Sequence, residues 1–87
     1  MTWLERVRYS VISRYDTTLP EGSREAAIEL RRMAQAETHG SNRYWALVEL
    51  ARSFDCYWIY LMTQDQQWKR QCCMHYDNAT DWAKEAA

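Results

Sequence analysis

The chain has 87 residues, 47% of them hydrophobic and 14% aromatic, and its 11 basic residues nearly balance 12 acidic ones for a net charge of −1. That length implies one domain, residues 1–87, and the apolar content excludes intrinsic disorder. The near-neutral charge removes the long-range field on which binding to nucleic acid or anionic membranes depends.

A domain this small buries only about 60–65% of the surface its unfolded chain exposes, so a second copy or a partner would add to a thin margin of stability. Three cysteines are an odd number and do not suggest a disulfide framework. The N-terminus, MTWLERVRYS, scatters charges among its apolar residues and so lacks the apolar core of a secretory signal. No apolar run approaches the ~20 residues that cross a bilayer. The expectation is a cytoplasmic protein with no membrane partner.

Only Gly22, Gly40 and Pro20 punctuate the chain, and none of these residue types occurs from Ser41 to Ala87. Strand-and-turn folds need more breaks, so the pattern predicts an all-α bundle of four to five helices. The first spans about 2–15. Thr2-Trp3-Leu4-Glu5 fits a capping box, and Leu4, Val7, Val11, Ile12 and Tyr15 recur at helical spacing. The second spans about 19–38, with Thr18-Leu19-Pro20-Glu21 as a second capping box and Gly40 as a stop signal. Its stripe of Ala26, Ala27, Leu30, Met33 and Ala34 is small enough for another helix to pack closely.

The third helix, about 42–63, starts at Ser41 or Asn42 and is expected to be central. Its core face carries Leu47, Leu50, Ala51, Phe54, Tyr57, Trp58 and Leu61. The opposite side mixes Trp45, Val48, Cys56, Ile59 and Tyr60 with Glu49, Arg52 and Ser53. Two apolar faces mark a central helix or one at an interface. The apolar seam then continues through Trp68, Cys72, His75, Ala79, Trp82 and Ala86, with Asp65 interrupting it. A buried lone carboxylate is costly, so a break at Thr63-Gln64-Asp65 is preferred over one long helix. Helices at about 65–76 and 80–86 follow, the last capped by Asp77-Asn78 or Thr80.

Catalytic and metal-binding signals are sparse. Cys72, Cys73 and His75 lie close in sequence, but structural zinc wants four ligands, and Cys56 is about 24 Å from Cys72 along a straight helix. A Cys–His nucleophile also needs an orienting group and an oxyanion hole, which glycine-poor helices rarely supply. No catalytic residue, metal or cofactor is expected, and the chain reads as non-enzymatic.

Ala36-x-x-x-Gly40 between two helices faintly fits a helix-turn-helix, with Arg43 at the start of the candidate recognition helix. Neutral charge argues against that reading, so nucleic acid is the rival partner and not the expected one.

Five Trp, six Tyr and nine Arg stand out in so short a chain. Trp, Tyr and Arg dominate binding hot spots, whereas large rings can also simply fill a small core. The candidate partner-binding residues are Trp45, Arg52, Ile59 and Tyr60, followed by Arg8 and Tyr9, with Ile28 also off its helix's stripe. The expected function is steric docking on another protein, or a homodimer whose copies share that face. In size, helical character and lack of catalytic motifs the chain is similar to small phage- or plasmid-encoded inhibitors such as anti-CRISPR proteins. No motif carries the similarity, and it assigns no residue roles.

Overall fold

Four helices make up the protein in a computed structural model that describes residues 1–85. They are α1 (Trp3–Arg14), α2 (Pro20–Gln35), α3 (Asn42–Thr63) and α4 (Gln66–Glu85). Among the described residues no helix is long and apolar enough to cross a membrane.

The capping box at the start of α1 forms as expected. The Thr2 amide donates to Glu5 Oε1 at 3.3 Å and the Glu5 amide donates to Thr2 Oγ1 at 3.2 Å. The box expected at Thr18 does not form. Asp16 Oδ1 instead accepts from both the amide and the hydroxyl of Thr18, and Leu19 caps α2 without a side-chain bond. This places the Asp16 backbone directly on the first turn of α2. A Cβ at Gly22 would sit 1.8 Å from the Asp16 carbonyl oxygen, so only glycine fits there. At its other end α2 stops at Gln35, three residues early, because the amides of Ala36 and Glu37 bond three residues back and tighten the turn. Gly40, with φ +81°, serves the connection rather than the helix end.

Helix α3 is central, as its two apolar faces predict. On one side α2 lays its small residues against it, with Ala26, Ala27, Leu30 and Ala34 buried beside Leu47, Leu50, Ala51 and Phe54. The buried hydroxyl of Ser23 donates to the Phe54 carbonyl at 2.8 Å. On the other side lies α4. The pairs Tyr60–Lys69, Ser53–Cys72, Glu49–His75 and Trp45–Trp82 run in opposite directions along the two helices, so α3 and α4 form an antiparallel hairpin. Ser53 Oγ donates to the Cys72 carbonyl at 2.9 Å, repeating on this side the bond that Ser23 makes on the other.

The chain breaks where the sequence indicates. Gln64 takes a left-handed conformation (φ 59°, ψ 19°), its amide donates to the Tyr60 carbonyl, and Asp65 Oδ1 accepts from the Gln67 amide to start α4. No break occurs at Asp77-Asn78, so the two expected terminal helices are one. Thr80 there bonds the Tyr76 carbonyl within the helix instead of capping a new one. Ala86 lies outside the described residues.

Helix α1 packs against both α2 and α4. Leu4, Val7 and Val11 are buried, and Glu29 of α2 holds its C-terminal end through Arg14 at 2.7 Å and the Tyr15 hydroxyl at 2.9 Å. The radius of gyration, 12.2 Å, is close to the ~12 Å expected of a compact chain this long.

Two substitutions probe the turns. Gly22→Ala is expected to lower the urea-unfolding free energy by about 1–3 kcal/mol, because the clash is with backbone and no rotamer relieves it. Gln64→Gly is expected to raise it by up to about 1 kcal/mol, by removing the cost of a left-handed non-glycine residue.

Candidate functional site

The second face of α3 is where the sequence places its partner-binding residues, and α4 covers much of it. Trp45 is half-buried, its ring stacked on Trp82 with centroids 6.2 Å apart and planes at 29°. Tyr44 meets Trp45 edge-on at 5.1 Å and His39 lies 4.7 Å from Tyr44. An unbroken chain of rings thus joins the α2–α3 connection, the start of α3 and the end of α4. Trp82 remains 38% exposed at its outer edge.

One helical turn from Trp45, Glu49 is only 8% exposed and is the buried carboxylate of the hairpin. Its Oε2 lies 2.6 Å from His75 Nδ1 and its Oε1 accepts from Arg52 Nη1 at 2.7 Å. Burial alone pushes the Glu49 carboxyl up, but hydrogen bonds from His75 and Arg52, with their charge, outweigh it and hold the group below the ordinary glutamate range. Arg52 itself stays exposed. Trp45, Arg52 and Ile59 are seven residues apart, and a heptad step drifts only about 20° on a straight helix, so the three share one line on α3. That line, flanked by Trp82 and His75 of α4, is the candidate site.

The remaining expected residues do not join it. Tyr60 turns toward α4, half-buried, with Lys69 Nζ 5.6 Å from its ring centroid. Arg8 lies over the Tyr76 ring at 5.4 Å, on the α1 side of α4. Tyr9 is 62% exposed on α1, and Ile28 is exposed on α2. Sequence periodicity did not single out Glu49, His75 or Trp82 as site residues. The available signal was a polar pair, Glu49 and His75, on the facing seams of two helices joined by a short turn.

Other chemistry finds little support in the geometry. Cys72 and His75 engage different groups, Ser53 and Glu49, and among the described residues no three His, Cys, Asp or Glu side chains converge as a metal site requires. Burial pushes the thiols of Cys56 and Cys72 up, which disfavours the reactive thiolate. Arg43, the residue a helix-turn-helix would turn to DNA, has its guanidinium 4.7 Å over the Trp3 ring. No protein-family model, curated protein or solved structure matches the chain.

The depressed Glu49 value has a testable sign. A carboxyl that ionises more readily when folded adds stability above its unfolded pKa, and that stability is lost as pH falls through the lower folded value. Below about pH 4.3, the ordinary glutamate value, wild type is therefore expected to lose more stability than Glu49→Gln does. At pH 7, His75→Ala is expected to cost about 1–3 kcal/mol in urea denaturation, since it strips a partner from a buried charge.

Proposed function

We propose that this chain is a non-enzymatic protein–protein interaction module that acts by docking on a partner protein. The docking face is the outer edge of the α3–α4 hairpin, with Trp82 and Arg52 as its anchors and Trp45 and Ile59 beside them. The observation that carries this reading is the stacked Trp45–Trp82 pair, in which Trp82 stays 38% exposed, with the exposed Arg52 seven residues along α3 from Trp45. Tryptophan and arginine are the residue types that concentrate binding energy.

The Glu49 cluster supports the same reading. It fixes the position of the Arg52 guanidinium, so less side-chain freedom is lost when that group meets a partner. Action through such a face is steric: the module covers the partner's site and transforms nothing. Small inhibitors carried by mobile elements work in this general manner.

Affinity capture from a host lysate tests the proposal when the wild type is run beside Trp82→Ala/Arg52→Ala. The wild type is expected to retain a specific protein at least about tenfold better than the double variant, as loss of anchor residues implies. Equal retention by both, with equal thermal stability, would overturn the assignment of this face. A mass measurement at low concentration adds the homodimer outcome: a lasting dimer that buries Trp82 leaves no free face for another protein.

A further inference from the structure

A groove runs between α1 and the inner side of α4, which the docking reading leaves out. At the N-terminal end of α1 it opens into a pocket of about 510 Å³. Its walls are apolar: Trp3 and Leu4 from α1, Tyr76 and Ala83 from α4. That volume falls within the range of small-molecule sites, which pair apolar walls with a few converging polar groups.

The polar groups at this rim are mostly cationic or donating. Arg43 reaches in from α3 with its guanidinium stacked on Trp3, and among the described residues no carboxylate lies within ion-pair distance of it. Lys84 reaches in from α4, and its partner among the described residues, Asp81, is 3.9 Å away with both side chains more than 70% exposed. Thr2 Oγ1 accepts from the Glu5 amide and so keeps its own proton to give. The carboxylate in the lining, Glu5, accepts from the Thr2 amide through Oε1 and keeps its charge. Two cations and a hydroxyl donor therefore outnumber one anion around an apolar floor.

We infer that this pocket binds a small amphipathic carboxylate, its aromatic or aliphatic body between Trp3 and Tyr76 and its anionic head between Arg43 and Lys84. The stacked guanidinium is well placed for this role, because arginine can hold a ring on its face and a carboxylate at its edge at the same time.

Titration of the full-length protein with 4-phenylbutyrate, followed by two-dimensional amide and indole NMR, tests the inference. Saturable shifts are expected at the Trp3 indole N–H and at the Thr80 and Ala83 amides, with the other four indoles unmoved. The uncharged 4-phenylbutyramide is expected to bind at least about fivefold more weakly, and Lys84→Gln to weaken the acid by about two- to fivefold, as for an ion pair at a partly solvated rim. Arg43→Gln is expected to act in the same direction. Lys84 supports no core residue, so its variant keeps the test valid if loss of the Arg43–Trp3 contact disturbs folding. Equal affinity for acid and amide, no effect of Lys84→Gln, or shifts spread over all five indoles would overturn the assignment.

Discussion

The chain reversal at Gln64 is the constraint on which the rest of the structure depends. An uninterrupted helix from Asn42 to Glu85 would carry the second face of α3 away from anything in the molecule able to cover it. Left-handed geometry at one residue folds α4 back instead, and Cys72, His75 and Trp82 of the continuing seam meet Ser53, Glu49 and Trp45. The accessible surface that results, 5550 Å², is close to the ~5,400 Å² that size scaling gives for a monomer of this mass. A small chain thus shelters a helix with two apolar faces, and only its outer line stays open.

Cations cover four of the half-buried rings. Arg8 lies over Tyr76, Arg24 over Trp58, Arg43 over Trp3 and Lys69 over Tyr60, each 4.7 to 5.8 Å from the ring centroid. Such contacts occur about once per 70–80 residues in ordinary proteins, so four in this chain are well above the usual density. The surplus of arginine and aromatic residues is therefore partly internal. The charged ends of the long side chains lie over the ring faces, which lets bulky rings line the edge of a very small core.

The sequence made the first three helices, the break at Asp65 and the core stripes of α1 and α2 legible, because each rests on local spacing or a cap, whereas the cap residues Asp77, Asn78 and Thr80 lie inside one continuous α4. It also showed that α3 had two faces to bury. It could not show that α4 would cover one of them, since that depends on the backbone angle of Gln64, and glutamine is not a residue that announces a left-handed turn. The same limit applies to the site. Trp45, Arg52 and Ile59 share a line that a helical wheel reveals, whereas Tyr60 lies on the covered side and Trp82 reaches the line from another helix. The absence of a cap at Thr18 was equally hidden, because Asp16 competes for the same hydroxyl and amide through a contact that spacing alone does not rank.

The two buried serines act on α3 at consecutive residues, Ser53 and Phe54. Ser23 fixes α2 to the Phe54 carbonyl, and Ser53 fixes α4 through the Cys72 carbonyl, so both neighbours of α3 are latched at one height, on opposite sides. Sliding either helix by a turn would strand a buried hydroxyl, so axial slip is opposed at the level of Ser53 and Phe54. The two bonds thus set axial register, each at about the worth of one hydrogen bond, while the packing of the stripes sets how closely the helices approach.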